Sequence, residues 1–326
     1  MAQDQTKKEA LFNEVKGSLF EYLVAKEIAR LGNEELQFQQ TLDRNYLHVL
    51  SQQDRMVRQF YPEMLPFLNQ VSKNTVTRMV EYLGKLPKNP KVMGKFSNSA
   101  IHDEIHEADL LVNIEEVLLP VSLKLNKKHA YVNTKSGGIK SFFLQYFPFL
   151  ETSIQERFNQ LVDLEFGRMA VELHALHDLD YLGNFGLWVQ KGFSELPGEL
   201  DQDSRNILKA YYARIAQEMH SILSNAQKQN PEGFAASLAP LMGFGKSEIL
   251  QVICFHEFPS GESPEIDLHT YSDLQKYLSE AKIGEFNSIA SVELDIGPWS
   301  LHIRVKPMNK FTTTAIKINC SIKVRK

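Results

Sequence analysis

The chain has 326 residues, 43% of them hydrophobic and 23% charged, with 36 Lys and Arg against 40 Asp and Glu for a formal net charge of −4. That composition fits a globular protein of one elaborated domain or two. No apolar run approaches the ~20 residues of a membrane span and the polar start MAQDQTKKEA is no secretory signal, so no membrane association and a cytoplasmic location are expected.

Taken in order, Glu9 to Leu31 predicts an amphipathic helix, with Leu11, Val15, Leu19, Tyr22, Leu23 and Ile28 at helical spacing and Gly32 as its stop. Glu14, Glu21 and Glu27 are ordinary polar-face positions of such a helix. Helical spacing continues over Asn33 to Phe60 and Asn74 to Leu86, punctuated by Pro62, Pro66, Pro87 and Pro90. Residues 85–99 read as a basic Pro/Gly/Asn loop. His102 and His106, four apart beside Asp103, Glu104 and Glu107, make a metal site only if that segment is helical, and lack a convincing further ligand.

Asp109 then opens the apolar run Leu110 to Ile114, and after Glu115-Glu116 a second run, Val117 to Leu125, predicts a β-hairpin. On the second strand the period of two places Val117, Leu119, Val121, Leu123 and Leu125 on a core face and Leu118, Pro120, Ser122 and Lys124 on the other. A lysine among leucines in an apolar strand calls for a carboxylate, a metal-bound water or a phosphate, because an unpaired buried ammonium costs several kcal/mol. The bland reading is an edge-strand lysine in solvent, which Pro120 mildly favours.

Asp109, twelve intervening residues, and Ser122-Leu123-Lys124 resemble the motif of the PD-(D/E)XK nuclease superfamily, in the variant of some type II restriction endonucleases where serine replaces the second acidic residue. Ala108 stands where the family often has proline, and Ser122 cannot be a metal-binding carboxylate. The resemblance implies a restriction-endonuclease-like mixed α/β (α+β) sheet core flanked by helices, acting on double-stranded DNA as a homodimer with Mg²⁺, or Mn²⁺ in its place. It implies that Asp109 holds metal, Lys124 activates water and stabilises developing charge, and Ser122 supports the site. The missing carboxylate would come from a nearby helix. Gly17-Ser-Leu-Phe-Glu21 resembles the helix before the core strands, where a small residue admits the helix to the sheet, so Glu21 is the first candidate and Glu107 the second.

Further along, His129 to Thr134 predicts a third strand, and Ser136-Gly137-Gly138 a turn opening a helix over Ile139 to Phe147, its backbone N–H groups offered to a phosphate. From Lys124 to Lys140 there are five lysines and no acid. Lys127, Lys128, Lys135 and Lys140 are therefore candidate DNA contacts. Glu151 to Asn225 is helical by pattern, with Trp188 in the core, Asp201 to Ser204 capping a helix, and His174 with His177 a helix-surface pair. The His-Asp doublets at 102–103 and 177–178 point weakly to a metal phosphohydrolase.

Glu248 to Phe255 is a continuous buried strand of the central-sheet kind. If it joins the sheet of Asp109, the intervening helices form one large insertion and the core closes near Phe258. Ser272 to Ala281 predicts a short helix. Ser288 to Ile296, Trp299 to Val305 and Thr313 to Val324 predict an antiparallel meander. Cys254 and Cys320 sit in such runs with no CxxC, predicting buried thiols rather than zinc or disulfide chemistry. From Ile296 to Lys326 there are seven Lys or Arg and no acid, and the loop residues Lys306, Asn309 and Lys310 suit a phosphate and a base edge. The expected organisation is thus a nuclease core over 1–258 with helical elaborations at 33–95 and 150–235, and a C-terminal β module over 259–326 for DNA recognition or clamping. The readings are a metal-dependent DNA endonuclease of restriction or phage-defence type, a nuclease for branched or damaged DNA, or a non-catalytic nucleic-acid binder on a nuclease fold.

Overall fold

A computed structural model describes residues 2–93, 108–244, 248–257, 263–287 and 290–324. In chain order the elements are α1 (Ala2–Leu31), α2 (Glu35–Thr41), α3 (Arg44–Phe60), α4 (Met64–Leu83), β1 (Lys88–Val92), β2 (Leu110–Ile114), β3 (Val117–Lys127), β4 (Val132–Gly138), α5 (Phe142–Tyr146), α6 (Thr152–Leu176), α7 (Gly186–Gln190), α8 (Gln202–Gln229) and α9 (Pro231–Leu241). They continue with β5 (Leu250–His256), β6 (Glu265–His269), α10 (Tyr271–Leu278), β7 (Lys282–Ile283), β8 (Ser291–Ile296), β9 (Trp299–Pro307) and β10 (Ile316–Val324). The fold is mixed α/β with two sheets, and no helix among the described residues is long and apolar enough to cross a membrane.

Where the sequence suggests a division after residue 258, two compact units interleave. One comprises Met1–Val132 with Phe244–Leu274, the other Asn133–Gly243 with Gln275–Lys326.

In the first unit the strand order is β1-β2-β3-β5-β6. The predicted hairpin is present in register, Leu110 opposite Val121 and Ile114 opposite Val117. The strand at 250–256 joins this sheet, parallel to β3 with Val121 opposite Leu250 and Lys127 opposite His256. A parallel pair needs a long crossover, and the insertion between β3 and β5 supplies it. All seven residues of β5, Gln251 and His256 included, are buried, in keeping with its largely apolar sequence. Pro120 precedes the β3–β5 ladder, so its missing N–H costs that ladder nothing.

One face of the sheet, carrying Leu110, Val112, Val121, Leu123, Leu250, Val252 and Cys254, packs on Val24 and Ile28 of α1 and on Leu68, Val76 and Met79 of α4. Burial pushes the Cys254 thiol up to about 12, and Cys320 is likewise buried and unreactive. Helix α1 ends in a Schellman-type turn in which Asn33, at φ 57°, is the left-handed residue and the Glu34 N–H donates to the Ala29 carbonyl at 2.8 Å. Gly32 is therefore not the residue that turns the chain.

One strand lies where the sequence predicts loop, and another in a stretch to which the sequence assigns no element. Lys88–Val92 pairs antiparallel with β2 through a bulge between Lys88 and Lys91. Lysine, proline and a bulge are the usual protections of an edge strand, and they hide its period of two. Glu265–His269 pairs with β5 on the other edge, its polar alternation masking Ile266 and Leu268.

The second unit holds the sheet β4-β10-β9-β8-β7. Strands β8, β9 and β10 form the expected meander. Gly297, at φ 56°, makes the β8–β9 turn where a Cβ would enter the Tyr277 ring. The predicted third strand is β4, and it joins this sheet and not that of the hairpin. Trp188 is fully buried among Phe185, Phe193 and Phe311. His174 is also fully buried and His177 accepts or donates a 2.9 Å hydrogen bond with Ser204, so the two histidines are core and capping residues, not a surface pair.

Candidate active site

Asp109 stands where β2 begins, held by backbone bonds on both sides: its N–H donates to the Val121 carbonyl at 2.8 Å and its carbonyl accepts from Met93 N–H at 2.9 Å. Its carboxylate continues the ladder where the backbone of β2 has left off. Oδ2 accepts from Leu123 N–H at 2.6 Å, from Ser122 Oγ at 3.3 Å and from Lys124 Nζ at 3.3 Å. The other oxygen, Oδ1, accepts from none of the described residues.

Lys124 is paired through its backbone with Ile253 of β5 and lies beyond the end of the β2 ladder, so that the Asp109 side chain, and not a strand backbone, stands on its other side. The side chains of Asp109 and Lys124 are 22% and 28% exposed, and Ser122 is 2% exposed. A half-buried ion pair with one carboxylate oxygen turned away from its partners keeps both charges and leaves solvent access to one of them.

Ser122 and Lys124 alternate with Val121 and Leu123 and so project from the sheet face opposite to α1. Glu21 is half-buried on α1, and its charge reaches the Tyr46 hydroxyl, which burial raises in pKa. Just past the end of α1 the Glu34 carboxylate accepts from Asn89 N–H at 2.7 Å at the start of β1, and at the middle of α1 the Lys16 charge acts on His256 at the end of β5.

Gly17 is not at a close approach, since a Cβ added there meets nothing within 4 Å; the expected role of a small residue admitting the helix is not met. Glu27 is engaged by Arg30 through a bidentate pair at 2.7 and 2.8 Å that holds its carboxyl below the usual range. Glu107, with His102, Asp103, Glu104 and His106, lies outside the described residues. Among the described residues no group of three or more His, Cys, Asp or Glu side chains converges as a metal ion would need.

Comparison with protein-family models, with curated proteins and with solved structures returns no match. The site therefore rests on its own geometry.

Three of the basic residues singled out from sequence are engaged by carboxylates. Lys140 is held by Asp163 at 2.7 and 2.9 Å, Lys310 is bound to Glu195, and Lys128 lies 3.8 Å from Glu257. The glycines Gly137 and Gly138 end strand β4 and lead into a three-residue 3₁₀ turn, Ile139–Ser141, and the five-residue α5, so the expected phosphate-binding helix start is absent there. Lys127 is exposed at the end of β3, Lys135 is half-exposed on β4, Lys306 is half-exposed on β9, and Asn309 is exposed in the β9–β10 loop. Arg304 and Lys317, beside Lys306 on this sheet, were not distinguishable in sequence from ordinary surface charges.

Proposed function

We propose that the chain is a divalent-metal-dependent DNA endonuclease of restriction or phage-defence type. The observation that carries this is the Asp109–Lys124 pair on adjacent interior strands, its carboxylate fixed by Leu123 N–H. Further support comes from the hairpin and from a later strand that joins the same sheet in parallel with β3.

The residues fit a hard cation in the way Mg²⁺ is usually held, by one or two carboxylates with water and substrate phosphate completing its shell. Asp109 Oδ1 would hold it, with Glu107 ahead of Glu21 as the proposed second carboxylate, because α1 packs on the sheet face away from Ser122 and Lys124, and with Mn²⁺ as a substitute. When bound, the ion supplies Lewis-acid stabilisation of a phosphoryl oxygen and lowers the pKa of water. Ser122 Oγ and Leu123 N–H keep Oδ2 in place, so Oδ1 keeps its aim. Lys124 is positioned to set its ammonium against the phosphate oxygens, where negative charge grows as water adds to phosphorus and the sugar oxygen leaves. The net change is one water consumed and one P–O bond broken. A homodimer with one site per DNA strand is part of the proposal, on the resemblance alone.

The second reading, a nucleic-acid binder without cleavage, is favoured by Ser122 standing where a second carboxylate is usual. The deciding experiment is incubation of supercoiled plasmid and phage DNA, modified and unmodified, with Mg²⁺ or Mn²⁺, comparing wild type with Asp109→Ala and Lys124→Ala. Metal-dependent cutting lost in both variants is expected. DNA binding that is intact and indifferent to metal, without cutting of any substrate, would leave the binder.

A further inference from the structure

The second sheet has two unlike faces. Toward its helices point Leu301, Ile303, Val305, Ile318, Cys320 and Ile322, all buried. On the other face the register sets Lys317 directly opposite Lys306 and Asn319 opposite Arg304, with Ser291 beyond Arg304. Acids on this face, Glu293 and Asp295, lie opposite His302 and Ser300, farther along the strands. Asn319 Nδ2 donates to Asn133 Oδ1 of β4 at 2.7 Å, extending the polar row to the next strand.

Arg304, Lys306 and Lys317 thus crowd one end of the face, and among the described residues none of them has an ion-pair or hydrogen-bond partner. Like charges directly opposite each other on a sheet are destabilising. Burial first, and then the charges of Lys317 and Arg304, hold the Lys306 ammonium below its usual pKa. An arrangement that costs stability in the free protein is accounted for if an anion neutralises it in the bound one.

The cations stand at the exposed end of a sheet face on which Ser300, His302 and Ser321, farther along, are buried, and they recur along β9 at the two-residue repeat of about 7 Å, which suits an extended polyanion better than an enclosed small one. The exposed or half-exposed members of the row are Arg304, Lys306, Lys317, Asn319 and Asn133, with no apolar side chain among them for a lipid surface to take. The asparagines add donors and acceptors suited to sugar and base edges.

We propose that this face binds the sugar-phosphate backbone of DNA through Arg304, Lys306 and Lys317. The inference deepens the nuclease reading by naming a surface for its substrate, and it is measured by binding rather than by cutting.

The test is fluorescence anisotropy of a short labelled DNA duplex against salt concentration, without divalent metal, using the full chain. Arg304→Ala/Lys306→Ala/Lys317→Ala is expected to weaken binding about tenfold or more and to flatten the slope of log K against log salt by about 2.7, the share of three phosphate contacts. A folding control is built in: Lys317→Thr removes the cross-strand repulsion and is expected to melt no lower than wild type while binding less tightly. Unchanged affinity and slope in the triple variant would overturn the proposal, as would a wild-type protein that ignores the duplex but binds anionic phospholipid vesicles or a polyglutamate peptide. Lost binding in the triple variant together with no cleavage by wild type would keep the DNA surface and reject the nuclease.

Discussion

Lys124 Nζ lies 3.3 Å from Asp109 Oδ2, and the same oxygen accepts the Leu123 backbone N–H at 2.6 Å. The two partners therefore differ in what they do for the fold. Removing Asp109 strips a sheet N–H of its acceptor, whereas removing Lys124 deletes one arm of a partly solvated ion pair. Asp109→Ala is expected to cost about 1–3 kcal/mol and Lys124→Ala less than about 1 kcal/mol, although both are expected to abolish the proposed cleavage. Chemical denaturation of the two variants checks the asymmetry. Equal losses would mean that Lys124 is a structural residue first.

Ser122 is 2% exposed and donates to Asp109, so an acid put there has little water and a like charge beside it. Ser122→Asp is expected to melt below wild type in EDTA, because two crowded carboxylates resist joint ionisation. Millimolar Mg²⁺ should recover much of that loss, since binding to the native state stabilises it. A melting temperature for Ser122→Asp that does not respond to Mg²⁺ or Mn²⁺ counts against a metal at Asp109.

How much of this was legible in the sequence depended on how local each determinant is. The hairpin, β5 and the meander are written in apolar runs and alternation, and the register that sets Asp109 beside Lys124 follows from the short Glu115-Glu116 turn. Strand β1 was not legible because Pro90, Lys88 and Lys91 do on an edge what they would do in a loop. The engagement of Lys140 by Asp163 and of Lys310 by Glu195 spans 23 and 115 residues, beyond any local pattern. Arg304 and Lys317 gain meaning only from the strand register that brings them to Lys306.

His256 gives a stability signal of known sign. It is buried against Phe67, and burial, then the Lys16 and Lys127 charges, lower its pKa from 6.5 to about 4. In the unfolded chain it takes up a proton near its ordinary pKa, while the folded protein resists until about 4. The unfolded state therefore binds more protons within that window, and stability falls as pH drops from about 6.5 to about 4. Asp267, raised in pKa by burial, acts with the opposite sign, so the quantity to read is the difference between variants. His256→Gln is expected to flatten the fall in denaturation midpoint over this window. Parallel pH profiles for the two proteins would show that His256 is not the group responsible.

The α6–α8 packing of the second unit contains a buried charge whose partners can be separated experimentally. Glu165 on α6 is 5% exposed and is bound by Arg214 of α8, with Arg168 at 3.2 Å on its other oxygen. Arg214 keeps 29% of its side chain exposed, so the cost of stranding it lies at the low end for a broken buried pair. Glu165→Ala is expected to destabilise the protein by about 3 kcal/mol. Glu165→Leu combined with Arg214→Met removes both charges and fills the space with apolar atoms, which buried ion pairs commonly tolerate. The double variant should therefore be more stable than Glu165→Ala, with an unchanged dependence on urea if the unfolding transition exposes the same surface. A double variant no better than the single one would mean that the pair specifies how α6 and α8 pack, and not merely that a lone charge is costly there.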